Sequence, residues 1–79
     1  MGPDGLKTDS AGNLYIAQFE GGRVLVTDSQ GELVRILSVP APFVTNLTFG
    51  GTEDTVFVTA ATDAWSEPYP GQVYRLANR

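Results

Sequence analysis

The sequence predicts an all-β chain of about seven antiparallel strands with no helix. Apolar and polar residues alternate with period two along most of its 79 residues. The alternating runs are bounded by glycine, proline, asparagine and aspartate clusters, which are turn chemistry. The order of the runs also repeats once along the chain.

The expected strands follow in order. Gly5-Leu6-Lys7-Thr8-Asp9 opens the chain. Asn13-Leu14-Tyr15-Ile16-Ala17-Gln18 lies between Ala11-Gly12 and Glu20-Gly21-Gly22. Arg23-Val24-Leu25-Val26-Thr27-Asp28 puts Val24 and Val26 on one face. Ser29-Gln30-Gly31-Glu32 then reads as a tight turn, with Gly31 supplying a positive φ. Leu33-Val34-Arg35-Ile36-Leu37 is stopped before Pro40 and Pro42, because proline cannot donate to a ladder. Asn46-Leu47-Thr48-Phe49 is short and turns at Gly50-Gly51. Thr55-Val56-Phe57-Val58-Thr59 is β-branched and aromatic, a strong strand pattern. Gln72-Val73-Tyr74-Arg75-Leu76 follows a long loop, 63–71.

Leu6 is answered by Leu47, Leu14-Tyr15-Ile16-Ala17 by Val56-Phe57-Val58-Thr59, and Gly22-Arg23-Val24 by Gly71-Gln72-Val73. The offset, about 41 to 49 residues, is the repeat length of a four-stranded β-propeller blade. The expectation is two blades, one over about 4–40 and an incomplete one over about 43–79. A single seven-stranded sandwich or open barrel fits the strand count but not the repeated order.

Composition excludes several functions. Nine acidic against five basic residues give a net charge of −4, without the basic surface that nucleic acid requires. With no cysteine and no histidine, the chain forms no disulfide, zinc–thiolate site, Ser-His-Asp triad or imidazole base. The oxygen ligands that remain suit hard cations such as calcium or magnesium. No apolar run approaches the roughly 20 residues that span a bilayer. Residues 1–5 show neither the charged nor the apolar region of a signal peptide, so the reading is a soluble, cytoplasmic chain.

Several segments now point to one family. They are Gly2-Pro3-Asp4-Gly5-Leu6, then Asp9, Gly12-Asn13-Leu14-Tyr15, Gly22-Arg23-Val24 and Ser29-Gln30-Gly31. Pro42 with Thr45-Asn46-Leu47-Thr48-Phe49-Gly50-Gly51, Val56-Phe57-Val58-Thr59-Ala60 and Gly71-Gln72-Val73-Tyr74 follow in order. Together they resemble the C-terminal part of the regucalcin/gluconolactonase (senescence-marker-protein-like) family. The squid-type diisopropylfluorophosphatases share a similar Gly-Pro-Asp-Gly start and are a second, organophosphate-hydrolysing relative.

The resemblance implies a six-bladed propeller that hydrolyses sugar lactones with one divalent cation, often calcium, in its channel. The family's Pro-Asp-Gly aspartate is a metal ligand and maps onto Asp4; Asn46 is a second candidate facing the channel. The other implied ligands lie on blades outside these 79 residues. One carboxylate cannot satisfy a cation that takes six to eight oxygens, so the chain alone is expected to be inactive.

Local readings stand beside these. Pro-Asp-Gly is also a common turn tripeptide, and Asn46 also suits a strand-edge residue capping its own backbone. Asp63, Trp65, Glu67 and Tyr69 form either a ligand lip or a surface loop, and Glu53-Asp54 reads as a solvated hairpin turn. Two blades alone would leave apolar faces bare, so the expected partners are further propeller blades. Three copies closing a six-bladed ring are one form of this. A non-catalytic module that only packs against other blades is the alternative function.

Overall fold

A computed structural model describes residues 2–65 and 71–79. The described residues form seven strands and no helix. They are β1 (Gly2–Thr8), β2 (Leu14–Phe19), β3 (Arg23–Thr27), β4 (Leu33–Ser38), β5 (Phe43–Gly50), β6 (Thr55–Ala61) and β7 (Gly71–Ala77). Consequently no described helix is long and apolar enough to cross a membrane.

Every pairing is antiparallel, and the strands make two meanders. The first runs β1-β2-β3-β4 and the second β5-β6-β7. Between β2 and β5 a single register pair, Phe19 with Phe43, joins them. These are the two expected blades, with one strand fewer in the second.

Register explains the core. Tyr15, Val26 and Arg35 stand opposite one another, as do Ala17, Val24 and Leu37, so they share one face of the first blade. Leu47, Val58 and Tyr74 do the same in the second blade, beside Phe49, Val56 and Leu76. The two faces pack together. Tyr15, Val24, Val26, Val44, Val56 and Val58 are fully buried between them, and Val39 and Ala41 of the connecting segment close one side. Among the described residues, the opposite faces have no such cover. Leu6, Ile16, Leu25 and Ile36 line up across all four strands of the first blade, with Leu6 52% and Ile36 45% exposed.

The turns follow local chemistry. Gly31 takes φ 86°, a left-handed conformation that disfavours other residues. The Asp28 carboxylate accepts the backbone N–H groups of Gln30 and Glu32 and closes the same turn.

Two strands begin three residues before the sequence pattern predicts. β1 begins at Gly2, so the Pro-Asp-Gly tripeptide is part of a strand and not a free turn. β5 begins at Phe43, three residues before Asn46. Each contains a bulge, between Pro3 and Leu6 in β1 and between Val44 and Asn46 in β5. A bulge inserts an unpaired residue and breaks the period-two pattern by which strands are recognised.

Candidate metal ligand and interblade network

The two bulges lie against each other. A Cβ on Gly5 would stand 2.8 Å from the Thr45 carbonyl oxygen and 2.7 Å from the Asn46 side-chain carbon. Glycine is required here by close approach of the neighbouring strand, not by an unusual φ. The first strands of the two blades are thereby held side by side, with Asp4 next to the contact.

Asp4 is exposed within the β1 bulge. Bulges re-aim side chains and are over-represented beside active sites. Asn46 is also exposed, but its amide oxygen has partners. It accepts the Leu47 backbone N–H at 2.9 Å and the Lys7 ammonium at 3.3 Å. The ammonium contact places a positive charge at the oxygen that a cation would need. Beside it, the Thr45 hydroxyl pairs with the Thr59 hydroxyl at 2.8 Å and donates to the Thr59 carbonyl at 3.1 Å. Among the described residues, no three His, Cys, Asp or Glu side chains are grouped to hold a metal ion. Asp4 therefore fits a cation as one oxygen ligand of several, not as a complete site.

Of the four lip candidates, Glu67 and Tyr69 lie outside the described residues. Asp63 accepts the Trp65 backbone N–H at 2.8 Å, and the Trp65 ring packs against Phe19 and Phe43. This aromatic group sits at the end of the sheet where β1 begins, since Gly2, Phe19, Phe43 and Ala61 are successive register partners.

A polar network occupies the opposite end. The Asp9 carboxylate accepts the backbone N–H groups of Ala11 and Asn13, the Asn13 side-chain amide and the Tyr15 hydroxyl. Arg35 and Asn78 both donate to the Tyr15 oxygen, at 3.0 and 2.8 Å. Asn78 also accepts from Arg35 and donates to the Glu53 carbonyl. The Glu53 carboxylate receives the Ser10 N–H and hydroxyl. Glu53 lies in the expected β5–β6 hairpin turn with a left-handed φ of 71°, and its carboxylate also holds the β1–β2 turn through Ser10. The network ties the β1–β2 turn and β4 to the β5–β6 turn and the segment after β7, linking both blades.

Partial desolvation pushes the Asp9 pKa upward, but hydrogen bonds from Asn13, Tyr15 and Ala11 outweigh it, and the net shift is downward. A carboxylate with a lowered folded-state pKa stabilises the fold above its unfolded value and ceases to as pH falls through the lower one. Urea midpoints should therefore stay level near neutrality and decline as pH drops below the ordinary 3.8. The decline should be shallower in Asp9→Asn; an identical acid limb in the variant would show that other carboxylates control it.

Comparison with known proteins agrees with this geometry. The family described as SMP-30/Gluconolactonase/LRE-like region matches residues 1–62. Pentonolactonase XacC of Haloferax volcanii is 42% identical over 60 residues, covering 75% of this chain and 21% of that protein. Xenopus laevis regucalcin is 32% identical over 82 residues, covering 94% of this chain and 27% of regucalcin. Among solved structures, a luciferin-regenerating enzyme superposes with TM-score 0.79 at 34% identity over 99% of this chain and 29% of its own. A calcium-binding protein, regucalcin, from Agrobacterium tumefaciens shares the fold at TM-score 0.75 and 20% identity, over 98% of this chain and 30% of its own. The chain thus spans between a fifth and a third of the proteins it matches. With the matched family covering both bulged strands and most of the interblade core, the chain belongs to the SMP-30/gluconolactonase/LRE-like family of β-propellers.

Proposed function

We propose that the chain supplies the Asp4-bearing part of a sugar lactonase of the gluconolactonase type that works with calcium or another divalent cation. The observation that carries this reading is the exposed Asp4 carboxylate in a strand bulge, wedged beside the second bulge by Gly5. Relatives named as lactonases support the reaction class: the pentonolactonase above and a 6-deoxy-6-sulfogluconolactonase of Pseudomonas putida, 37% identical over 62 residues. A divalent cation at such a site supplies Lewis-acid polarisation of the lactone carbonyl. This chain contributes one anionic oxygen ligand, and Gly5 holds that ligand's strand against β5. Lys7, with its ammonium on Asn46, keeps the neighbouring amide engaged. The remaining ligands belong, in this reading, to further blades.

A chimaera tests it. Residues 1–79 replace the matching segment of the Haloferax pentonolactonase, and lactone hydrolysis is followed by proton release. Retained activity, dependent on added divalent cation, supports the reading. A folded chimaera without activity, beside an active parent, would overturn it. A fluorophosphate substrate in the same assay separates an organophosphate hydrolase from a lactonase.

The bare faces favour a second, compatible reading: the blades are an assembly unit. Leu33 is 56% and Val73 is 68% exposed, one on each blade. The first blade also carries a continuous apolar row, Leu6-Ile16-Leu25-Ile36, and large exposed apolar patches are rare on soluble monomers. Further blades would cover them, and three copies closing one ring is the self-assembled form, bringing three Asp4 carboxylates together. Light scattering should give a mass of about three chains for that form; a clean monomer would eliminate it.

A further inference from the structure

Trp65 is the chain's single tryptophan and is 70% exposed, more than any other large apolar side chain among the described residues. It is nonetheless anchored. Its ring meets Phe43 edge to face, with centroids 5.8 Å apart at 86°, and Phe19 at 6.2 Å and 48°. Phe19 and Phe43 support each other at 5.1 Å, and Phe43 is buried. The Asp63 carboxylate fixes the Trp65 backbone N–H. One side of the indole is therefore held by two aromatic rings while the rest faces water. Core packing alone does not account for that arrangement, because a packed tryptophan buries most of its 150–250 Å² on the general scale of about that size.

The shelf has a defined place. Gly2 is the register partner of Phe19, Phe19 of Phe43 and Phe43 of Ala61, so the three rings sit where β1 begins. Asp4 is two positions along the same strand. An aromatic face carries negative charge density. The C–H groups on one side of a sugar ring are electropositive and apolar, while its hydroxyl groups point outward. Stacking buries the C–H face on the indole and leaves the hydroxyls in water or on polar groups.

We infer that Trp65, seated on Phe19 and Phe43, is a stacking shelf for the C–H face of a ring-form sugar lactone presented to Asp4. The ligand class rests on the lactonase reading; the shelf itself rests on the ring geometry. Trp65 then selects cyclic over open-chain polyols and governs binding more than turnover.

As the lone tryptophan, Trp65 reports on its own occupancy. The 79-residue chain is titrated with D-glucono-1,5-lactone at mildly acidic pH, where the ring persists, and with sorbitol, which has the hydroxyls but no ring. The expected result is a saturable change in tryptophan emission and protection from acrylamide quenching with the lactone, and neither with sorbitol. Equal responses to both, or none at millimolar lactone, would overturn the shelf. Phe19→Leu, which keeps the reporter, should weaken the lactone response by about threefold to tenfold. Trp65→Ala removes an exposed ring and should leave the fold intact by circular dichroism. In that variant, saturation transfer from protein to the lactone C–H protons should disappear; undiminished transfer would refute the proposal.

Hydrolysis and stacking fail separately. If the chimaera hydrolyses lactones with the same KM after Trp65→Ala, the shelf is wrong and the lactonase reading stands. If lactone protects Trp65 but no chimaera turns over, the lactonase reading is wrong and the shelf stands.

Discussion

Replacing Asp4 by asparagine in the ring completed with a relative's blades should lower lactone hydrolysis at least about a hundredfold. Side chains that merely support metal ligands cost 10- to 100-fold when changed, so loss of a direct ligand sets that as a floor. Asn and Asp have nearly the same shape, and Asp4 is exposed, so the fold should survive. The loss should be in cation dependence: the variant should need more calcium for half-maximal activity and should lose calcium-induced thermal stabilisation. Stabilisation by a ligand scales with its concentration over Kd, which makes the melting shift a direct reading of affinity. Unchanged activity and an unchanged calcium shift in Asp4→Asn would remove Asp4 from the metal site. The same assay on Asn46→Ala provides a contrast. Its amide oxygen already serves Leu47 and Lys7, so a much smaller effect on calcium affinity is expected.

The second large effect belongs to Tyr15. The side chain is fully buried, its ring packs edge to face on Phe49 at 4.8 Å, and the Arg35 guanidinium lies 5.9 Å from its centroid. Its hydroxyl donates to Asp9 and accepts from Arg35 and Asn78. Tyr15→Ala removes the ring as well as the hydroxyl and should cost about 3–5 kcal/mol, as buried aromatic truncations do. For a chain this small, that is comparable with the whole stability of a domain, about 5 kcal/mol at the low end. Tyr15→Phe keeps the ring and isolates the hydroxyl. It leaves Asp9, Arg35 and Asn78 each one partner short, and about 1–3 kcal/mol should be lost. Urea unfolding at neutral pH measures both. If Tyr15→Phe is neutral, water replaces the hydroxyl and the network is not what joins the blades.

The strand plan was legible because each strand is specified by its neighbours in sequence. The alternation in Arg23-Val24-Leu25-Val26-Thr27 and in Thr55-Val56-Phe57-Val58-Thr59 needs only a pleated backbone with one buried face. Gly31 and the Asp28 carboxylate define their turn within four residues of each other. Where the pattern misled, the cause was equally local. Pro3-Asp4-Gly5 has turn composition, yet Pro3 and Leu6 are paired with β2 on either side of a bulge. Likewise β5 starts before Asn46 because Phe43 and Val44 pair with Ala61 and Ala60.

The site divides along the same line. Asp4 is a candidate because its contiguous motif resembles that of a family. The neighbours that give it a setting are not contiguous. Gly5 meets Thr45 and Asn46 only because β1 and β5 adjoin. Trp65 meets Phe19 and Phe43 only because β2 and β5 meet at one register pair. Glu53 looked like an ordinary hairpin residue, and nothing near it in sequence marks Ser10, 43 residues away, as its partner. Tyr15 and Asn78 are 63 residues apart.

By itself, then, the sequence determined the all-β class, the local turns and the repeated blade order, and it offered Asp4 as a candidate cation ligand only through its resemblance to a family. These depend on side-chain period, backbone φ and short motifs, all of which act over a few residues. Only the tertiary structure decided that two bulges touch, that three aromatic rings form a shelf, and that a buried tyrosine joins both blades. Those contacts depend on how one sheet packs on another, and that packing arises from the summed burial of a dozen dispersed side chains, which no short stretch of sequence encodes.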